Sequence, residues 1–393
     1  MSRKPAQKRT LRGDGLYRRI REILESARAN VARTVNTTQV VANWLIGREI
    51  VEAEQKGKAR ADYGEELIMD LARRLTVDFG KGYSRDNLFW FRRFYQGYPC
   101  LVGKKFDAAR QISAPTQNSN AVRAVSDVAK GYALRSESWT PGRLHPNLSW
   151  THYRMLLRVD KPDARAFYEI EAIKNNWSAR ELERQICSLL YERLALSKDK
   201  KGLMRLAVQG QEIQQASDVF KDPVVMEFLG LPESPKLVET KLEQALIDHL
   251  QAFLLELGKG FAFVARQKRL TLDGDHFYAD LIFYHTILKS FIIIDLKTGK
   301  LTHEDLGQLQ LYVNYYDREC RTEGDNPTIG LILCAEKNDA VVRYTLGEGQ
   351  KKIFASRYKL YLPTEAELRT EMRREVRQLT AAPSPRTARM KKS

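Results

Sequence analysis

Two acidic residues and a lysine lie within or directly after apolar segments of the chain, at a spacing that can build a cation site. Asp280 interrupts the apolar run over residues 277–283, and Asp295 and Lys297 follow the three isoleucines 292–294. An acid inside an apolar strand is costly to bury unless it is paired or bound to a cation. Because strand side chains alternate between the two faces, Asp295 and Lys297 are expected on the same face.

These three residues predict metal-assisted hydrolysis of a phosphodiester. Two carboxylates at the ends of adjacent strands supply the hard oxygen ligands that Mg²⁺ and Mn²⁺ prefer. A lysine on the same face can stabilise an attacking hydroxide or the charge that develops on a phosphate. The alternative interpretation is that Asp280 is a turn or capping residue and that Asp295-Leu296-Lys297 occurs by chance.

Polar residues on two flanking helices are further candidates. Glu243 lies on an amphipathic helix that precedes the first strand, and Glu239 lies one turn earlier on the same face. Gln308 and Tyr312 are four residues apart on the helix that follows the acidic strands, so they also share a face. The alternatives are that Tyr312 packs in the core and that Gln308 only solvates its helix.

The C-terminal half contains the elements that must position these residues. Apolar periodicity predicts helices over 238–257, 303–318 and 364–379, and strands over 261–266, 277–285, 290–296, 328–334 and 358–362. A helix, three consecutive strands, a helix and a further strand indicate an α/β arrangement with a mixed sheet.

The N-terminal half is predicted to be helical. From Leu16 to Tyr95 apolar residues recur at helical spacing, and a helix over 63–75 ends before a glycine-bearing turn. Ser84 is then a suitable N-cap for the next helix, which makes a helix-turn-helix pattern. Ser178 and Glu181 form a capping box at the start of a later helix.

The positive charge is concentrated outside the predicted catalytic half. The 393 residues carry a formal net charge of +16. Residues 13–199 hold 31 basic and 23 acidic groups, residues 200–385 hold 25 and 26, and both termini are basic. A basic half beside a neutral half favours a nucleic-acid partner for the helical region. Two predicted helix-turn-helix segments carry the basic residues that are candidates for contact with nucleic acid. They are Lys81, Arg85, Arg92, Arg93, Lys174, Arg180 and Arg184.

Composition argues against secretion and membrane insertion. No apolar run is long enough to cross a bilayer, and the N-terminal residues lack the apolar core of a signal peptide. The four cysteines are scattered without a C-x-x-C pair, which is typical neither of a disulfide framework nor of a structural zinc site. A cytoplasmic protein is expected.

The acid, acid-x-lysine pattern resembles the signature of PD-(D/E)XK nucleases, and Gln308 with Tyr312 resembles the Gln-x-x-x-Tyr element of RecB-like members. Longer segments resemble the bacterial YhcG-type nuclease family and its companion helical domain. They are residues 63–76, 79–84, 177–182, 258–267, 280–285, 295–297 and 326–334. The second acid departs from the family pattern, because Asp295 stands where other members carry Glu.

The resemblance implies roles for the candidate residues. Asp280, Asp295, the carbonyl of Leu296 and Glu243 would hold Mg²⁺ or Mn²⁺. Lys297 would position or activate water. Gln308 and Tyr312 would orient the site or the phosphate. Glu243 is preferred over Glu239 because its place in the apolar pattern matches the family.

The chain is therefore predicted to be an α+β multidomain protein. An all-α, helix-turn-helix-like, DNA-binding region spans 13–199 with an irregular loop over 101–147. A restriction-endonuclease-like α/β domain with a mixed central sheet spans 215–380. The basic tails, 1–12 and 381–393, are predicted to be disordered.

The expected function is that of a divalent-metal-dependent nuclease, an endonuclease acting on DNA. Two alternatives stay open, namely a non-catalytic DNA-binding or regulatory protein with a nuclease-like fold, and an RNA endonuclease. The expected partner is nucleic acid and not a membrane, and homo-oligomerisation is left open.

Overall fold

The computed structural model describes residues 35–55, 62–102, 139–196, 200–232, 234, 237–346, 352–368 and 370. The chain divides into two compact units, with the division between Glu183 and Arg184. Both predicted tails, residues 16–34 of the helical pattern that begins at Leu16, residues 103–138 of the predicted loop and residues 371–379 of the helix predicted over 364–379 lie outside the described residues.

The described part of the N-terminal unit is helical, as predicted. Its helices are α1 (35–55), α2 (Asp62–Phe79), α3 (Arg85–Gly97), α4 (Trp150–Leu156), α5 (Pro162–Lys174) and α6 (Ala179–Cys187), of which α6 continues past the division. A 3₁₀ turn, Lys81–Tyr83, connects α2 to α3. The predicted cap of α3 is confirmed, because the Asn87 amide donates to Ser84 Oγ at 3.4 Å. The capping box of α6 is also confirmed by reciprocal bonds between Ser178 and Glu181.

Helices α1, α2 and α3 share a small apolar core. Ile50, Ile68, Leu88 and Phe91 are buried together there. Gly47 of α1 lies against the backbone of α3, where a Cβ would come within 1.9 Å of the Phe91 carbonyl oxygen. Glycine at this position therefore allows the close approach of the two helices.

The C-terminal unit is an α/β structure built on one mixed sheet. After α6 its elements are α7 (Leu190–Leu196), α8 (Lys200–Gln209), β1 (Val224–Val225), α9 (Glu239–Asp248), α10 (Leu250–Leu257), β2 (Phe261–Leu272), β3 (Asp275–His285), β4 (Ser290–Lys300), α11 (His303–Tyr315), β5 (Ile329–Glu336), α12 (Asp339–Thr345) and β6 (Ile353–Lys359). The strand order is β1-β6-β5-β4-β3-β2. Strands β2, β3 and β4 pair antiparallel, whereas β4-β5, β5-β6 and β6-β1 pair parallel.

Helices cover both faces of this sheet. Alternate residues of β4 point to opposite sides, so that Ile292 and Ile294 pack with Leu242 and Leu246 of α9. Ile293 packs on the other face with residues of α11, among them Leu309. The central strands are therefore buried on both faces, which explains their continuous apolar sequence.

A buried ion network fastens the first helices of the C-terminal unit to α10. Arg193 and Glu256 are both fully buried and pair at 2.5 Å, and Arg184 pairs with Glu256 at 3.2 Å. Although burial raises the pKa of Glu256, these cations and Lys221 hold it at about 2. Glu256 is consequently a charged anchor inside the unit.

Several element boundaries differ from the predictions. The helix predicted over 238–257 is two helices, because His249 leaves the helical conformation (ψ 30°) between α9 and α10. The helix predicted over 303–318 changes to a π-helical turn at Tyr316. The last strand, predicted over 358–362, is β6 at Ile353–Lys359. The helix α12 and the two-residue strand β1 were not predicted.

Candidate functional site

Strands β3 and β4 bring the two predicted strand acids together. The ladder between these strands ends at the pair Leu281 and Ile294, so Asp280 and Asp295 lie directly beyond it on opposing strands. The backbone N–H of Leu296 donates to Asp280 Oδ2 at 2.8 Å. This bond connects the two strands where the ladder ends, and it fixes the carboxylate of Asp280 beside β4.

Lys297 extends into a ring of three carboxylates. Its Nζ lies 3.1 Å from Asp295 Oδ2, 3.9 Å from Asp305 Oδ1 and 4.0 Å from Glu239 Oε2. Burial alone would lower the pKa of Lys297, but the charge of Asp295, followed by those of Glu239 and Asp305, raises it. Asp305 was not among the sequence candidates. Its place three residues after Thr302, in the capping box of α11, is what brings it near the lysine.

Glu243 joins the site through a residue that the sequence analysis did not select. The Gln267 Nε2 donates to Glu243 Oε2 at 2.6 Å and to Asp280 Oδ1 at 3.1 Å. Glu239, the alternative helix acid, accepts instead from the Thr298 amide at 3.4 Å. The two helix acids therefore contact different parts of the site, Glu243 next to Asp280 and Glu239 next to Lys297.

The turn between β2 and β3 is the sequence signal that locates Gln267. Asp273 and Gly274 both have positive φ and form the tight turn between β2 and β3, which an Asp-Gly dipeptide indicates. Counting back from this turn places Gln267 between the paired positions Arg266↔Leu281 and Lys268↔Ala279, hence opposite Asp280.

The pKa values of the site acids are raised, because burial and mutual repulsion disfavour their ionised forms. Burial raises the pKa of Asp295 to about 7, even though Lys297 opposes the shift, and the charge of Asp280 adds to it. Burial also raises the pKa of Asp280, which the Leu296 amide and Lys297 offset only in part. The pKa of Glu243 is raised by burial and by Asp280. A positive charge bound next to Asp280, Asp295 and Glu243 would favour the ionised form of all three acids.

The carboxylate oxygens fit a hard divalent cation. Asp295 Oδ2 and Glu243 Oε1 are buried and have no well-aligned hydrogen-bond donor among the described residues. The nearest cationic groups are Lys297 at 3.1 Å and Arg266 at 3.7 Å, respectively. Within the described ranges no three acidic, histidine or cysteine side chains converge closely enough to hold an ion as they stand. The carboxylate donors, and a Glu243 oxygen that accepts no hydrogen bond among the described residues, suit Mg²⁺ or Mn²⁺.

The predicted pair on α11 also lies near the acids. The Gln308 Nε2 donates to the Tyr312 hydroxyl at 2.5 Å. Tyr312 is buried in the core on the α11 face of the sheet, and burial, followed by the charges of Asp295 and Asp280, raises its pKa. The side chain of Leu296 lies in the core on the opposite face.

The predicted nucleic-acid contacts of the N-terminal unit are exposed or partly exposed. Lys81, Lys174 and Arg180 lie on the surface. Three others pair with acids, namely Arg85 with Glu65 at 3.8 Å, Arg92 with Glu54 at 3.1 Å and Arg93 with Asp160 at 3.5 Å. The Arg85–Glu65 and Arg93–Asp160 pairs are exposed, and such surface pairs contribute roughly 0–1 kcal/mol, whereas the Arg92–Glu54 pair is partly buried.

Arg184 differs from the other predicted contacts. Its side chain is only 15% exposed, and it pairs with Glu227 at 3.0 Å as well as with Glu256. Its guanidinium also donates to the Val225 carbonyl. The prediction of a nucleic-acid contact is therefore corrected, because Arg184 is engaged inside the C-terminal unit.

An aromatic and cationic surface on α3 was not selected from the sequence. The guanidinium groups of Arg93 and Arg154 lie 5.4 and 5.6 Å from the ring centre of Trp90. A cavity of about 410 Å³ lies beside this ring, and Phe89 and Gln96 are among the residues that line it. Rings and guanidinium planes of this kind stack on nucleobases.

Comparison with known proteins identifies relatives over most of the chain. Residues 217–373 match the family model described as the YhcG PDDEXK nuclease domain, and residues 19–193 match the DUF1016 N-terminal domain. The protein called "Putative nuclease YhcG" from Escherichia coli (strain K12) is 38% identical over 353 residues, which are 89% of this chain and 91% of that protein.

A solved structure described as "crystal structure of a repair endonuclease from Pyrococcus abyssi" was also compared. The match covers 34% of this chain and 50% of the chain in that structure. Its TM-score is 0.23 and its sequence identity is 14%, an overlap too small to carry a structural argument.

In the part of the chain that the structure describes, no helix combines the length and apolar character needed to span a membrane.

Proposed function

This chain belongs to the YhcG family of PD-(D/E)XK nucleases, and from that premise we propose that it is a divalent-metal-dependent endonuclease that hydrolyses phosphodiester bonds in DNA. The observation that carries the proposal is the cluster of Asp280, Asp295 and Lys297 at the end of the β3-β4 ladder. Two carboxylates and an ammonium group stand together there, which is the charge pattern that phosphodiester hydrolysis requires.

The acids would hold the cation and the lysine would act beside it. Asp280, Asp295 and Glu243 would be its carboxylate ligands, and the Leu296 carbonyl would be a fourth. When bound, Mg²⁺ or Mn²⁺ supplies a Lewis acid for the phosphate and lowers the pKa of water. The ammonium of Lys297 would stabilise the negative charge that develops on the phosphate oxygens.

Gln308 and Tyr312 would form the wall of the site on the α11 side. Their mutual hydrogen bond holds the glutamine amide at the helix surface, next to the buried hydroxyl. An amide in this position can donate to a phosphate oxygen and orient it without adding charge.

The helical unit would hold the nucleic acid. Its surplus of positive charge would attract the phosphate backbone, and Lys81, Arg85, Arg92, Arg93, Lys174 and Arg180 are the proposed contacts. Trp90, with Arg93 and Arg154 near its ring, would stack on an unpaired base. Arg184 is not part of this surface.

The experiment is a cleavage assay with the full chain on circular, linear, single-stranded and branched DNA and on RNA. Each substrate is incubated with Mg²⁺, Mn²⁺ or EDTA, and Lys297→Ala and Asp280→Ala are assayed in parallel. We expect cleavage of DNA, including covalently closed circles, that requires the metal and is lost in both variants. Circular DNA is informative because it offers no ends to an exonuclease.

Each alternative has its own outcome. DNA binding without cleavage under any metal condition would indicate a non-catalytic binding protein. Cleavage confined to RNA would replace DNA as the substrate and leave the active-site assignment intact. Cleavage that persists undiminished in both variants would overturn the assignment of the site.

A further inference from the structure

Gln267 is held in a backbone conformation that glutamine rarely adopts. Its φ is +44°, in the left-handed region, although it lies within strand β2. A side chain in this region costs roughly 1–2 kcal/mol, and such a conformation persists only where the surroundings impose it. The residue lies shortly after the register shift between Phe263 and Ala265, where the strand twists.

The conformation places the side-chain amide between two carboxylates from different elements. Gln267 Nε2 donates at 2.6 Å to Glu243 on α9 and at 3.1 Å to Asp280 on β3. The residue is otherwise exposed, so packing does not explain its position. Glu243 and Asp280 are both carboxylates that contact the same amide, so they repel each other when both are ionised. The Gln267 amide donates hydrogen bonds to both carboxylates and so offsets this repulsion.

A neutral amide can join two acids without adding a positive charge to a cation site. An arginine or lysine could join the same two acids, but its positive charge would compete with a metal ion. The neighbouring Arg266 does not hydrogen-bond the two acids, because its Nε forms a long ion pair with Glu243 Oε1 at 3.7 Å and its guanidinium donates to Gln244 at 3.0 Å. Glu243 Oε1 itself has no hydrogen-bond donor among the described residues. The amide thus fixes Oε2 of Glu243, whereas Oε1 keeps its long ion pair with Arg266 and accepts no hydrogen bond among the described residues.

We propose that Gln267 is a positioning residue that sets the spacing of Glu243 and Asp280 for a divalent cation. The inference rests on the proposed function, because it assumes that these acids bind a metal. It adds a residue from β2 to a site that the acid and lysine pattern confines to β3, β4 and the preceding helix. Outer residues that orient metal ligands typically change affinity or activity by about 10 to 100-fold.

The test uses the full-length protein with two variants, Gln267→Asn and Gln267→Gly. Asparagine and glycine both tolerate positive φ better than glutamine, so each variant relieves the backbone while it removes the bridge. Arg269→Gln is the matched control, since it alters an exposed arginine of the same strand, two residues from Gln267. Affinity for Mn²⁺ is measured by calorimetry, together with the rise in melting temperature on adding Mn²⁺ and the rate of DNA cleavage.

We expect both Gln267 variants to fold, to bind Mn²⁺ about 10 to 100-fold more weakly and to show a smaller metal-induced rise in melting temperature. The control should match the wild type in all three measurements. Wild-type Mn²⁺ affinity in both Gln267 variants would overturn the positioning role while the nuclease function stands. A wild-type protein that neither binds Mn²⁺ nor cleaves DNA would overturn both.

Discussion

The carboxylate of Asp280 accepts a hydrogen bond from the backbone N–H of Leu296, at 2.8 Å, across two neighbouring strands. Asp295 and Lys297 flank Leu296 in the chain, so this bond places one acid against the segment that carries the other acid and the lysine. One strand contact therefore sets the relative positions of the three residues on which the proposed chemistry depends.

Asp280→Asn is expected to separate this structural role from the chemical one. Asparagine keeps an oxygen that can accept from the Leu296 amide but removes the negative charge, so the fold should be retained while the cation ligand is lost. We expect the cleavage rate to fall by at least about 100-fold, beyond the usual effect of an outer residue. Cleavage kinetics and thermal unfolding of both proteins check this, and an active Asp280→Asn protein would contradict it.

The two helix acids are expected to differ in their effect on cleavage. Glu243 is 9% exposed and joined to Asp280 by Gln267, whereas Glu239 is 46% exposed and lies 4.0 Å from Lys297. Glu243→Gln should lower the cleavage rate by about 10 to 100-fold. Glu239→Gln should lower it at most about fivefold, because an exposed pair contributes roughly 0–1 kcal/mol.

The comparison of Glu243→Gln with Glu239→Gln is made at matched concentrations of Mg²⁺, with Mg²⁺ titrated for each protein. A loss confined to Glu243→Gln that excess Mg²⁺ partly restores would support a role next to the metal. If Glu239→Gln has the larger effect, Glu239 is the helix acid of the site.

The strands that carry the acids could be predicted because their sequence period is simple. Strands β3 and β4 are apolar on both faces, so a single polar residue such as Asp280 or Asp295 is conspicuous. The mixed sheet followed from the order of the elements. The strand β1, with two residues, is too short to show any period.

Long-range contacts explain what could not be predicted. Arg184 has the helical spacing of a surface cation, but it pairs with Glu256, 72 residues later in the chain. The Asp273-Gly274 turn places Gln267 opposite Asp280, but its positive φ and its contact with Glu243 on a helix do not appear in the sequence pattern. Both cases are polar residues whose partners are set by the tertiary structure.

Trp90→Ala is expected to weaken binding of single-stranded DNA more than binding of duplex DNA. Stacking of a base on an aromatic ring contributes about 1–3 kcal/mol, which corresponds to a loss of roughly 5 to 150-fold in affinity. Duplex binding should change less, since it depends on phosphate contacts and their salt dependence. Fluorescence anisotropy of labelled oligonucleotides at several salt concentrations measures both.

Phe79→Ala is the control for Trp90→Ala. Phe79 is a 68% exposed ring of the same unit that contacts Tyr83 and has no arginine near its face among the described contacts. Equal losses in the two variants would show that exposed aromatic rings of this unit contribute without any special role for Trp90. A loss in Trp90→Ala that is the same for duplex and single strands would exclude base stacking.

Glu169 gives the N-terminal unit a predicted dependence of stability on pH. It is 1% exposed, and the Gly142 amide donates to its Oε2 at 2.7 Å. Burial raises the pKa of Glu169 to about 7, although Tyr98, Gly142 and Arg165 oppose the shift. The folded unit therefore binds more protons than the unfolded chain between about pH 4.5 and pH 7. Its stability should fall by about 3 kcal/mol as the pH rises through that range.

Glu169→Gln should remove this dependence and make the unit more stable than the wild type at pH 8, since the amide keeps an acceptor for Gly142 without a buried charge. All five tryptophans precede the division at residue 184, so tryptophan fluorescence follows unfolding of this unit in the full chain. Asp160→Asn is the control, because Asp160 is 93% exposed. Histidines titrate in both proteins, so the difference in unfolding free energy between wild type and Glu169→Gln isolates the contribution of Glu169. Parallel stability curves for these two proteins from pH 4.5 to pH 8 would contradict the raised pKa of Glu169.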